Sequence, residues 1–184
     1  MDEKKFFNAH HSPTGAFASF TLGYPGASGG LGLELAGPAN QNVYIGLQQI
    51  GGEAFEMLPF YGEAINQKQN FDSTGNPQSD KRKIKPFDDA LIRRDFRLCS
   101  DIWTAGDLTF AIYSPVGSIP EPLSSSDQIF KRALIPAVFA EITIDNRNGT
   151  SERTALFGYQ GSDPYSSMRH IIKNDNESRI CGVG

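Results

Sequence analysis

The chain has 184 residues, a formal net charge of -4 and a pI near 5.4, so it offers no broad basic field to a phosphate backbone, and nucleic acid is not an expected partner. Its 39% hydrophobic and 21% charged residues, with 13 Phe and 6 Tyr, argue against disorder and for an aromatic core, while 19 Gly and 11 Pro argue against a helical body. No stretch approaches the roughly 18 apolar residues of a membrane span, the first residues lack the apolar run of a secretory signal, and Cys99 and Cys181 stand too far apart for a disulfide framework or zinc cluster. A cytoplasmic, single-domain protein with two free thiols, no cofactor, no metal and no membrane partner is expected.

In chain order, apolar residues recur at every second position, as they do in strands with one buried face. Phe20 and Leu22 come first, then Leu31, Leu33 and Leu35, then Val43, Ile45 and Leu47. The stretch from Ile65 to Pro86 is polar without period and reads as a long exposed loop. Beyond it Phe96 and Leu98 precede Leu108, Phe110 and Ile112, and Ala105-Gly106-Asp107 predicts an antiparallel connection. Ser124 to Leu134 predicts one or two helical turns opened by a Ser or Asp cap. Val138, Ala140, Ile142 and Ile144 form the longest run, Phe157 and Tyr159 the last, and Asn148-Gly149 between them predicts a hairpin. Short strands, Gly-rich turns and no alternation with helices give an all-β, mostly antiparallel sandwich over residues 1–184.

Candidate chemistry is sparse. His10 and His11 adjoin, and on extended backbone they point to opposite sides. That disfavours a shared metal and leaves either structural hydrogen bonding or contact with a hydroxyl-rich ligand. Glu34 and Glu141 alternate with apolar neighbours and are expected on a solvated face, as are Lys81, Arg82, Lys83 and Lys85 in the polar loop. Asn148 and Asn176 begin glycosylation sequons but read first as turn residues. In Gly161 to His170, Asp163, Tyr165 and Arg169 mix an aromatic ring with hydrogen-bonding groups, which suits either a sugar or an Asx-Pro turn with a surface arginine.

The strings FFNAHHSPTGAFASFTLGYPGASGGLGLELA, AGDLTFAIYSPV, ALIPAVFAEITIDNRNGT and GSDPYSSMR follow in this order over nearly the whole chain. They resemble the amino-terminal region of family 52 glycoside hydrolases, the β-xylosidase family. The resemblance implies a two-part enzyme, an amino-terminal β-sandwich and a carboxy-terminal (α/α)6 barrel, releasing terminal xylose from xylo-oligosaccharides with retention. It also implies that the catalytic carboxylates lie in the barrel, which this chain does not contain, so a non-catalytic half and an incomplete product are expected. His10, His11 and Arg169 are the expected substrate contacts at a pocket rim. The barrel and a xylo-oligosaccharide are the expected partners, with a homodimer as a further expectation. The alternatives are a stand-alone carbohydrate-binding module and a purely structural or dimerising sandwich.

Overall fold

A computed structural model describes residues 5–13, 18–33, 39–62, 84–135, 137–160, 169–174 and 177–182, the last two stretches through their backbone. In chain order the strands are β1 (Ala9–His11), β2 (Ala18–Leu22), β3 (Gly30–Leu33), β4 (Val43–Gln48), β5 (Phe55–Met57), β6 (Ile84–Pro86), β7 (Ile92–Arg97), β8 (Ser100–Ala105) and β9 (Leu108–Tyr113). After helix α1 (Asp127–Ala133) come β10 (Phe139–Ile144), β11 (Ala155–Tyr159), β12 (Arg169–Asn174) and β13 (Glu177–Gly182). Two four-stranded sheets, ordered β11-β4-β5-β6 and β10-β9-β8-β7, form the body; β1-β2-β3 makes a smaller sheet and β12-β13 a separate ribbon.

The alternation explains the core. Val43, Ile45 and Leu47 of β4 share one buried cluster with Leu108, Phe110 and Ile112 of β9, Trp103 and Ala105 of β8, and Ile92 of β7. Each large side chain sealed there contributes about 1.5–3 kcal/mol of burial. Phe60 meets the indole of Trp103 edge-on at 4.9 Å, and Phe6 stacks on it at 6.1 Å, which carries the N-terminal segment into the core.

The β8-β9 connection is the tight turn expected, with Gly106 at φ 57° and Ala105 paired to Leu108. Helix α1 also lies within the segment expected for it, with Ser126 as its N-cap.

Other expectations are corrected. Asn148-Gly149 does not close a hairpin, because β10 pairs with β9 while β11 pairs with β4 in the other sheet. The linking segment bonds to itself, Gly149 N to Asn146 O and Asn146 Nδ2 to Ser151 O. Arg153 then ties the sheets together, donating to Gln48 O at 2.9 Å and to Asp107 Oδ2 at 2.7 Å. The polar stretch ends in structure: Ile84–Pro86 is an edge strand, parallel to β5. Residues 63–83 lie outside the described residues. Phe96 and Leu98 do not bury as a pair, since Leu98 falls in the β7-β8 turn and Arg94 follows Ile92 on the inward face.

Candidate functional site

The alternation that buries Ile92 and Trp103 also puts two charged residues on the inward face. Cross-strand pairing sets Arg94 opposite Trp103 and Phe96 opposite Asp101. The Asp101 side chain is 0% exposed and that of Arg94 2%. Their guanidinium and carboxylate meet as two parallel bonds, Nε to Oδ1 at 2.7 Å and Nη2 to Oδ2 at 2.6 Å. This fork geometry is the strong, orientation-specific form of the ion pair.

The N-terminal segment completes the cluster. Arg94 Nη1 donates to the carbonyls of Lys5 at 3.1 Å and Phe7 at 2.7 Å. Its guanidinium lies 3.9 Å from the centre of the Phe7 ring, 4.4 Å from Trp103 and 5.0 Å from Phe96. Cation-π contacts are worth about 0.5–1 kcal/mol at exposed rings, as at Phe7 and Phe96, and about 2 kcal/mol or more when desolvated, as over buried Trp103. Gly23 makes room for this approach: it sits at φ 130°, and a Cβ there would run into the Phe7 carbonyl and the Arg94 guanidinium.

His11 joins from β1. Its side chain is 5% exposed, with Nε2 3.2 Å from Asp101 Oδ2 and Nδ1 3.5 Å from Ser114 Oγ. Because the Asp101 carboxylate accepts, the His11 Nε2 carries the proton in that bond. Burial raises the Asp101 carboxyl, but the hydrogen bonds from His11 and Arg94 and the attraction of Arg94 outweigh it and hold the group below its ordinary value.

A serine, a histidine and an aspartate in contact invite comparison with a hydrolytic triad. Two features argue for anchoring instead. Arg94 takes the charge of Asp101 through both oxygens, so little is left to stabilise an imidazolium, and the serine contact is at the outer limit of a hydrogen bond. The arrangement is built to hold residues 5–11 against the sheet. Among the described residues, no three His, Cys, Asp or Glu side chains are grouped to hold a metal ion.

Of the sequence candidates, His10 and His11 lie together on β1 and face opposite ways. His10 is exposed, its Nδ1 2.7 Å from Thr21 Oγ1 on β2. His11 is turned inward. Arg169 opens β12 opposite Gly182, in the separate ribbon, and its side chain lies outside the described residues, as do Asp163, Tyr165 and Glu34. Glu141 is exposed, on the solvated face expected for it. Arg94, Asp101 and Ser114 were not singled out in the sequence. The available signal was an Asp two residues before Trp103 and an Arg two residues after Ile92, each at an inward position of neighbouring strands.

The sequence model described as Glycosyl hydrolase family 52 matches residues 20–184. The chain belongs to this family. One relative, a "Beta-xylosidase" from Geobacillus stearothermophilus, is 48% identical over 188 aligned residues that cover 100% of this chain and 26% of the relative. A second "Beta-xylosidase" from the same organism is 44% identical over 97% of this chain and 30% of its own length. The chain therefore spans less than a third of the curated relatives it matches. This family 52 sequence carries its buried ionic cluster in the sandwich, where it binds N-terminal segment to sheet.

Proposed function

We propose that this chain is the non-catalytic β-sandwich of a retaining, exo-acting β-xylosidase that removes terminal xylose from xylo-oligosaccharides, and that it supports a helical barrel and shapes the rim of its pocket. The observation that carries this reading is the state of Asp101. It is the buried carboxylate among the described residues, and Arg94 occupies both of its oxygens. A retaining glycosidase needs two carboxyl groups roughly 5–5.5 Å apart, one as nucleophile and one as acid and base. A carboxylate locked to an arginine and a histidine is suited to neither role. The family membership and the names of the relatives supply the reaction class.

Within this reading His10 and Arg169 belong to the rim, and His11, buried beneath it, acts on the rim through β1. His10 is the outward member, with its Nε2 turned from the Thr21 bond and available to a sugar hydroxyl. His11 sets the orientation of β1 through Asp101. A hybrid enzyme in which this chain replaces the matching first part of the Geobacillus stearothermophilus β-xylosidase tests the assignment. His10→Ala should raise KM for xylobiose at least several-fold with the fold intact. Unchanged kinetics would remove His10 from the rim.

A further inference from the structure

The connection between β9 and β10 is far longer than the sandwich requires. Tyr113 and Phe139 are direct antiparallel partners, so a turn of two to five residues would join the strands. The chain instead makes an excursion over residues 114–138. Most connections in a compact domain run to a few residues, and ones this long are usually functional or linker segments.

Apart from Val138, which packs against the core at its end, the excursion gains little from its own domain. Its ends are held, Ser114 N to Cys99 O at 3.0 Å and Phe139 in the β10 ladder. Between them the described backbone bonds are internal: Ser124 and Ser125 to Glu121 O, Phe130 to Ser126 O, Leu134 to Phe130 O, Ala137 to Ile135 O. Helix α1 buries none of its residues, and no described residue from Pro115 to Val138 is buried. Yet the segment is rich in large apolar side chains. Leu123 is 96% exposed, Val116, Ile119, Ile129 and Ile135 are exposed, and Phe139 continues the surface onto β10 beside exposed Tyr113. Single exposed apolar residues need no explanation, but this many on one unburied excursion call for one.

We infer that residues 114–139 form a docking arm, and that its occupant is the part of a longer family 52 enzyme lying beyond the matched region. The inference rests on the two-part reading above. The relatives carry about 70% of their length outside the match, which supplies an occupant large enough to cover the arm. The surface suits an apolar partner. Pro115, Pro120 and Pro122 remove three backbone donors from the first half, Pro122 within the turn closed on Glu121 O, and α1 offers Ile129 with Lys131 and Arg132 in its last turn.

The hybrid enzyme described above and the isolated chain test this together, by amide hydrogen exchange and by the paired substitution Leu123→Asp with Ile129→Asp. The arm should exchange on the order of 100-fold more slowly in the hybrid than in the isolated chain. The paired substitution should lower the unfolding temperature of the hybrid while leaving that of the isolated chain unchanged, because both side chains are exposed there. An active hybrid whose arm exchanges as fast as in the isolated chain overturns the inference and leaves the xylosidase reading standing. A protected arm in an inactive hybrid sustains the docking and overturns the activity. A stable dimer of the isolated chain, broken by the same substitution, would assign the arm to a second copy and also overturn the inference.

Discussion

Replacing Asp101 by alanine removes the acceptor of three hydrogen bonds, from Arg94 Nε, Arg94 Nη2 and His11 Nε2. It leaves the Arg94 guanidinium, whose side chain is 2% exposed, without a counter-charge. Breaking a buried pair from one side in this way costs about 3–5 kcal/mol, most of it the penalty of the stranded charge. Against a domain stability of roughly 5–15 kcal/mol that is a fifth of the total or more. Arg94→Met should cost as much, since it strands Asp101 and also leaves the Lys5 and Phe7 carbonyls without their donor. The double variant should fall well short of the sum, because each substitution removes what the other would strand.

Urea unfolding followed through Trp103, the sole tryptophan, gives these values, and its ring lies 4.4 Å from the guanidinium. A loss below about 1 kcal/mol for Asp101→Ala, the worth of an exposed pair, would refute the cluster as an anchor. Acid supplies a second check. A carboxyl held below its unfolded value near about 3.9 stabilises the fold fully above that pH and stops doing so as pH falls through the folded value. The gap between wild type and Asp101→Ala should therefore hold from neutrality down to about pH 4 and close only as pH falls further, through the folded value.

Gly23→Ala should destabilise by about 2 kcal/mol or more in thermal unfolding, since φ 130° and the Phe7 carbonyl both exclude a Cβ. Gly51→Ala, at φ 66° with open space around it, should cost about 1 kcal/mol; equal losses would mean that the approach of Phe7 and Arg94 is unimportant. Asp145, hydrogen-bonded by the Arg147 side chain and backbone, should titrate at about 2 by carbon NMR. Arg147→Gln should return it toward the ordinary carboxylate range without a measurable change in stability, and an unmoved titration would exclude the arginine as the cause.

Much of the fold is legible in the alternation, because a strand with one buried face must place its apolar residues two apart. Val43-Ile45-Leu47 and Leu108-Phe110-Ile112 show this directly, and both runs meet in the core. What escaped depends on partner choice rather than on local propensity. Asn148-Gly149 has the composition of a hairpin, yet the strands it joins lie in different sheets, β10 on β9 and β11 on β4. Ile84–Pro86 is three residues long and draws its strand character from β5 alone. The opposed faces of His10 and His11 were readable from backbone geometry. The Arg94-Asp101 pair was hidden because a charged residue at an inward position breaks the pattern that alternation seeks, and only cross-strand register shows that the two breaks meet.

The most direct test is the hydrolysis of a chromogenic β-xyloside by the isolated 184-residue chain, beside the hybrid enzyme that carries it. The isolated chain should release no product above the uncatalysed rate while the hybrid turns over. Turnover by the isolated chain, abolished by Asp101→Asn or His11→Ala, would place the chemistry in the sandwich and contradict the account.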